Sequence, residues 1–450
     1  MSGNKNDAGI TRRELLLTTT AVSAGVVLQG CTTMSTPGAT PRNTMIIPGM
    51  AELAPDAMPK GFSRAELERR WQKCREWMRR ADFDVLLVPA RPEGNADIKW
   101  LTEAGPNWVV FPQSGRPTAI FRSGEDANNF KESMQLDMDV LDSRLGRSEL
   151  IVQGLKDARV TNGRIGVGNL EGTMRDDEGG VSHTTMTRLE KEFPNVRFES
   201  AADLLMRVKL SRGPEEIEVL KLSSRVSELG LKAIVESAGV GVTQREVWFQ
   251  VYKALLDASG ESPGRVSIRA GGEGNTAGGA PLDEIMQGGQ IISEEISASV
   301  LGYNSQVNQT ICVGRPAPAN FVSTFNYNIE LFEELLEGAK PGRSFADFSA
   351  FYKQRIDQWV AGPGHGGNTY FGVVFHTAGA SGDGPRMGWG RDEENSDLVI
   401  EPGMVFTMKP RVPIPGVDTP NSQIGDAVLI TDTGAVRLGR RKLEPITIGA

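Results

Sequence analysis

The chain has 450 residues, of which 39% are hydrophobic and 24% charged, with 52 glycines and 25 prolines. Such a chain is long enough for two or three globular domains, and its composition excludes a disordered or fibrous protein. The formal net charge of −8 argues against nucleic-acid binding and favours a small-molecule or short-peptide ligand.

Residues 1–31 have the pattern of an export signal. TRRELLL, Thr11 to Leu17, places paired arginines before an apolar run that reaches Cys31. The run is short for a stable membrane span, although a single transmembrane anchor is the alternative. LQGC, Leu28 to Cys31, resembles a lipoprotein processing box in which Cys31 is lipidated. We therefore expect twin-arginine export of the folded protein to the periplasm, with membrane contact only through this lipid anchor.

Residues 32–61 are rich in Thr, Pro, Met and Ala and are predicted to form a flexible tether. Cys74 and Cys312 follow without CxxC spacing and are expected to be buried small residues without a function.

Residues 62–205 are predicted to form one α/β domain. Apolar residues recur at helical spacing up to Met78, and the continuous run from Val85 to Val88 is typical of a buried strand. The segments DIKWLTEAG and NWVVFPQSGRPTAIFR are predicted to add further strands between turns.

Residues 206–450 are predicted to form a second, α+β domain. Pro214 is placed to begin a helix, with acidic residues in the first turn. Further helices are predicted in TQREVWFQVYKALLDASG and around NYNIELFEELLEGAKPG, and strands are predicted from Val399 to Val436.

Five segments of the second domain carry a resemblance to a known family. They are VKLSRGPEEIEVLK, YNSQVNQTICVG, KPGRSFADF, HGGNTYFGVVFH and IEPGMVFTMKP. In order and spacing they resemble the aminopeptidase P, prolidase and creatinase family. The resemblance covers residues 62–450. It implies a creatinase-type α/β N-terminal domain and a catalytic-type C-terminal domain with the α+β "pita-bread" fold.

The metallopeptidases of that family hold two divalent metals with five ligands: two Asp eleven residues apart, one His and two Glu. Gly302 and Tyr303 align the segment that contains the two Asp positions with the family. The His and Glu positions are aligned by the segments HGGNTYFGVVFH, PGMVFTMKP and SQIGDAVLIT. The resemblance then places Glu295, Gln306, Thr369, Lys409 and Gly425 at the five positions. An alignment with four inserted residues would make His365 the ligand instead.

An amide, a hydroxyl and an ammonium group cannot replace hard anionic ligands, and the Lys409 charge would repel the metals. We therefore expect a protein without a metal or other cofactor.

The remaining polar residues of the predicted cleft are candidates for a different chemistry. The resemblance implies that Glu295 and Lys409 converge, with Glu295 as nucleophile or general base, Lys409 holding it ionised or binding an anion, and His376 passing protons. His365, Tyr303, Gln306 and Thr369 are expected to contact the ligand. The alternatives are that the histidines are merely inherited and that the Glu295–Lys409 pair only plugs an inactive cleft.

Three functions follow from these residues. Creatinase and ectoine hydrolase resemble the chain in sharing the fold and lacking metals, which favours a metal-independent hydrolase or lyase of a small amino-acid-like or peptide-like compound. The second is an inactive pseudo-peptidase that acts as a binding protein. The third is a metal-dependent Xaa-Pro aminopeptidase, against which the ligand losses argue. The resemblance also implies a homodimer.

Overall fold

A computed structural model describes residues 58–90, 96–142, 146–172, 178–271, 281–362, 374–379, 384–387, 397–416 and 422–449. Structural statements below refer to these ranges. Cys31, His365 and Thr369 lie outside them. None of the helices in the described part of the chain is long and apolar enough to cross a membrane.

The first lobe is a six-stranded sheet covered by helices. Its strand order is β4-β3-β2-β1-β5-β6. The elements are α1 (Arg64–Ala81), β1 (Val85–Pro89), α2 (Ala96–Thr102), β2 (Trp108–Pro112), β3 (Thr118–Phe121), α3 (Gly124–Ser133), β4 (Asp139–Asp142), α4 (Arg147–Asp157), β5 (Gly163–Val167), α5 (His183–Glu192), β6 (Val196–Ser200) and α6 (Ala202–Val208).

Local sequence accounts for the first helix and strand. Ser63 caps α1 by accepting the N–H of Glu66, and Asp82 ends the helix in a left-handed conformation. The face with Trp71 and Met78 is buried, as the helical spacing predicts. All five side chains of β1 are buried, which confirms the predicted buried strand.

The prediction of a strand in DIKWLTEAG is wrong, because residues 96–102 form helix α2. Ile98 and Leu101, three residues apart, are buried on the helix, and Asp97 forms a buried ion pair with Lys209. A short apolar run fits a strand and a buried helix equally well, and tertiary packing decides between them here.

The second lobe contains an eleven-stranded sheet. The main path is β12-β11-β13-β15-β9-β8-β10-β17, with β7 paired to β8 and with β14 and β16 paired to β15. The elements are α7 (Pro214–Ser237), α8 (Gln244–Ser259), β7 (Arg265–Ala270), β8 (Ile291–Val300), β9 (Tyr303–Gln309), β10 (Ile311–Val313), α9 (Ala319–Gly338), α10 (Phe345–Val360), β11 (Val374–Thr377), β12 (Arg386–Met387), β13 (Val405–Lys409), β14 (Arg411–Val412), β15 (Ser422–Thr431), β16 (Gly434–Arg437) and β17 (Ile446–Ile448).

The predicted helix start at Pro214 and the strands between Val399 and Val436 are confirmed. The two lobes together have the expected α/β and α+β character. Cys74 and Cys312 are free and buried, as predicted.

Candidate functional site

The candidate site is one polar face of the second sheet. Along β8, Glu295, Ser297 and Ser299 alternate with apolar residues, so the polar side chains share a face. On the opposite face, apolar side chains of β11, β13 and β15 pack into a hydrophobic cluster that includes Phe375, Phe406, Met408, Ile424 and Val428. The polar face contains most of the residues that the sequence predicts for the site.

Strand register arranges this face in two rows. Val374 pairs with Lys409, Gly425 with Asn308, and Ser267 with Glu295. Continuing the β13–β15 and β8–β9 registers joins these pairs into one row that runs from Lys409 over Gly425 and Asn308 to Glu295. The neighbouring row runs from His376 and Thr407 on β11 and β13 to Gln306, Ser297 and Arg265. In these two rows the middle strand β15 contributes Gly425 and Ala427.

The side chains of Glu295 and Lys409 meet in the buried part of the site. Glu295 is 6% exposed and Lys409 is 4% exposed. The Lys409 ammonium group donates to Oε1 of Glu295, and Nε of Arg265 lies 2.6 Å from Oε2 of the same carboxylate. The convergence that the resemblance implies is present in the structure.

These contacts determine which groups carry charge. Burial alone would raise the pKa of Glu295, but the charges of Lys409 and Arg265 outweigh it and hold this pKa at about 2. Burial lowers the pKa of Lys409, the charge of Glu295 raises it, and the charge of Arg411 lowers it. Together these effects place this pKa at about 8. Glu295 is thus a weak proton acceptor, whereas Lys409 can exchange a proton close to neutral pH.

Gln306 connects this pair to His376. Its Nε2 donates to Oε1 of Glu295 over 3.2 Å, and its Oε1 accepts from Lys409 over 3.2 Å. The two charged partners fix the orientation of the amide, so Nε2 of His376, 3.0 Å from Oε1 of Gln306, must carry a proton. Nδ1 of His376 lies 3.1 Å from the main-chain oxygen of Thr377. The protonated ring can donate at both ends, and the neutral ring keeps its proton on Nε2.

The residues at the family's ligand positions do not fit a pair of divalent metals. Lys409 directs a positive charge at the only carboxylate among the described members of that set, and Gln306 offers an amide. A Cβ atom added at Gly425 would lie 2.4 Å from Oδ1 of Asn308, so the structure has no room for a carboxylate side chain there. Within the described ranges, no three His, Cys, Asp or Glu side chains are arranged to hold a metal ion.

Tyr303 does not lie with the other predicted site residues, because it points to the opposite face of β9 from Gln306. Tyr303 is 2% exposed, and its hydroxyl group donates to Oε1 of Glu216 over 2.7 Å. It lies at the hairpin end of β9, where it packs against Phe62 of the first lobe. The tyrosine thus belongs to the contact between the lobes.

Arg265 and Asn308 belong to the site and are not predicted from the sequence. Arg265 reaches Glu295 from β7, and only the pairing of β7 with β8 brings it there. Asn308 is two residues after Gln306 and therefore on the same face of β9. The two-residue alternation of side chains along a strand is the sequence signal that could have identified Asn308.

Comparison with known proteins identifies similar chains. Residues 218–436 match the model of metallopeptidase family M24. Xaa-Pro dipeptidase from Pyrococcus furiosus is 26% identical over 59% of this chain and 74% of its own. Creatinase from Bacillus sp. is 22% identical over 79% of this chain and 85% of its own. The crystal structure of the prolidase from Pyrococcus horikoshii superposes with a TM-score of 0.67 at 21% identity, covering 83% of this chain and 99% of that one. This likeness confirms the expected pita-bread fold.

Proposed function

Because the chain belongs to the family of aminopeptidase P, prolidase and creatinase, we propose that it is a hydrolase of small amide-type compounds that works without a metal ion. Relatives named for hydrolysis of Xaa-Pro dipeptides and of creatine support an amino-acid-like or peptide-like substrate. The observation that carries the metal-free proposal is the Lys409 ammonium group, which pairs with Glu295 where metal ligands would converge.

Lys409 is the electrophile in this proposal. Its ammonium has three N–H groups, and the described residues provide two acceptors, Glu295 and Gln306. The third N–H can bind the substrate's carbonyl-type oxygen and stabilise the negative charge that develops there, in a buried place where such an interaction is strong. The ammonium thereby performs with one charge part of the work that metals perform in metallopeptidases.

Glu295 and His376 have supporting roles. A general base works best when its pKa is near the working pH, so a pKa of about 2 disfavours that role for Glu295. Its contacts instead hold the Lys409 ammonium in place. His376 is half-buried and carries a proton on Nε2, which suits a proton carrier between the site and solvent.

One observation favours the alternative of an inactive binding protein. Both oxygens of the Glu295 carboxylate contact cations of this chain, so the pair is complete without a substrate. A pair of this kind can simply stabilise a cleft that has lost its metals.

The sequence features of residues 1–31 support the further proposal that the protein is exported through its twin arginines and anchored by lipid at Cys31. The homodimer expected from the resemblance also stays a proposal.

Turnover by chelator-treated protein tests the proposed function. We expect hydrolysis of at least one member of a panel of Pro-containing dipeptides, guanidino acids and cyclic amides, and a loss of roughly a hundredfold or more in Lys409→Met. The matched control is Lys209→Met, which breaks a different buried pair of a lysine and a carboxylate, Lys209–Asp97, far along the chain from the site. Activity that returns only with added metal, or equal activity in both variants, would contradict the proposal.

A further inference from the structure

We propose that Asn308 is a ligand-binding residue that accepts a hydrogen bond from a neutral amide-type N–H of the substrate, above Gly425. The proposal rests on the proposed function in placing the ligand on this face of the sheet. It adds the substrate class that this face selects.

Hydrogen bonding fixes the orientation of the Asn308 amide. Asn308 is fully buried, and its Nδ2 donates to the main-chain oxygen of Glu294 over 2.7 Å. A flipped amide would set two oxygens against each other. Oδ1 is therefore the remaining end, and among the described residues it has no hydrogen-bond partner. Buried acceptors are rarely left in this state, so each such group calls for an explanation.

The unpaired oxygen points into the site. The direction of a Cβ atom at Gly425 is the direction of the polar face, and such an atom would lie 2.4 Å from Oδ1. Oδ1 of Asn308 thus lies on the polar face beside Gly425 and Ala427, neither of which has a large side chain. A ligand group that reaches this part of the face can donate a hydrogen bond to Oδ1.

The Lys409 ammonium group decides what kind of N–H is accepted. Lys409 lies on the neighbouring strand, opposite Gly425 in the continued β13–β15 register. Its positive charge opposes a cationic amine beside Asn308. Its third N–H can at the same time bind a carbonyl oxygen. One donor from Lys409 and one acceptor from Asn308 match a group that carries both N–H and C=O, such as an amide, lactam or urea.

Two matched pairs of small amides test the proposal by ligand-observed NMR on the full chain. They are 2-pyrrolidinone with its N-methyl derivative, and N-methylacetamide with N,N-dimethylacetamide. In each pair only the N–H differs, and the two pairs present it on opposite sides of the carbonyl. We expect the N–H compound of at least one pair to bind roughly fivefold or more tightly than its methylated partner, because methylation leaves Oδ1 unpaired. Pyrrolidine, a cation of similar size, should not bind.

Variants assign the effect to Asn308. Asn308→Ala should abolish the preference for N–H, while Asn304→Ala, on the same face of β9, should keep it. Equal binding within both pairs, binding of neither pair, or a preference that survives in folded Asn308→Ala would overturn the proposal and show that only water meets Oδ1. If Asn308→Ala does not fold, the comparison of N–H and N-methyl compounds on the unaltered protein still tests the proposal. Failure of the proposed function is a separate outcome, since these measurements record binding and not turnover.

Discussion

Three neighbouring groups on the second sheet, Glu294, Glu295 and Lys409, are buried, and their surroundings decide which of them is charged. Glu295 faces cations and is ionised, whereas burial raises the pKa of Glu294 well above its ordinary value despite the N–H that it accepts from Gln309. Adjacent residues on one strand point to opposite faces, so the pKa values of these two neighbouring carboxyl groups are shifted in opposite directions. Of these two carboxyl groups, only that of Glu295 faces the site.

The activity is expected to depend on the charge of Lys409. The ammonium form is the active one in the proposed mechanism, and the pKa of Lys409 is lowered to about 8. Activity should therefore fall as pH rises through about 8. Arg265→Gln removes a positive charge that lowers the pKa of Lys409, so the fall should move to higher pH. A pH profile of kcat/KM for both proteins is the measurement, and an unmoved upper limb would count against Lys409 as the titrating group.

Replacing Glu294 is expected to stabilise the protein, and the size of the gain should depend on pH. The unfolded chain releases the Glu294 proton above its ordinary pKa, whereas the folded chain keeps it, so folding stability falls as pH rises through that value. Glu294→Gln removes this loss and should increase the free energy of unfolding at pH 8 by about 1–2 kcal/mol, with little change at pH 4. Denaturant unfolding at the two pH values measures the difference. Glu337→Gln, at an exposed position on α9, is the control and should show no such trend.

At the scale of elements, Asn308 on β9 and Gly425 on β15 are paired, and the side chain of Asn308 packs over Gly425. The strands pair directly at these residues, and the Asn308 side chain covers the space where a residue 425 side chain would start. A carboxylate side chain therefore cannot be introduced at position 425 unless Asn308 moves or is replaced.

A double-mutant cycle tests this fit. Gly425→Ala should destabilise the protein by about 1–3 kcal/mol, because its Cβ would overlap Asn308. Adding Asn308→Ala should recover part of that cost, which gives a non-zero coupling energy. Free energies of unfolding of the two single variants and the double variant provide the cycle. Strict additivity would mean that Asn308 does not occupy this space.

The elements differ in how far the sequence predicts them. Pro214 and the acidic first turn of α7 are local signals, and the structure follows them. The hairpin register that selects Glu295 and Gln306 is also local, because two residues connect β8 and β9. Arg265 depends on the pairing of β7 with β8, which is set by packing across the sheet. Helix α2 and the position of Tyr303 likewise depend on long-range packing. Trp100 of α2 and Tyr303 both donate hydrogen bonds to Glu216 on α7.

At the scale of the whole molecule, a buried polar network joins the two lobes around Glu216. Its carboxylate accepts hydrogen bonds from side chains of both lobes and from the hairpin, namely Arg69, Trp100 and Tyr303. Despite its burial, the charges of Arg70 and Arg212 help to lower the pKa of Glu216 to about 2. The network contributes stability above the ordinary glutamate pKa, and that contribution is lost as pH falls towards 2.

Tyr303→Phe separates a role in this network from a role in ligand binding. Loss of the hydroxyl group leaves one acceptor of Glu216 unused and should lower the free energy of unfolding by about 1–2 kcal/mol. Ligand affinity and turnover should stay unchanged, because Tyr303 is buried between the lobes. Thermal unfolding and kinetics on the same sample check both statements. A loss of affinity without a loss of stability would return Tyr303 to the ligand site.

The metal content of protein folded in the cytoplasm tests the central claim most directly. Protein purified without added metals, and then incubated with manganese, zinc and iron, can be analysed by elemental mass spectrometry after desalting. The Lys409 ammonium group should exclude divalent cations from Glu295, so we predict no stoichiometric metal in either sample. Two bound equivalents would contradict the account and restore a metal-dependent peptidase.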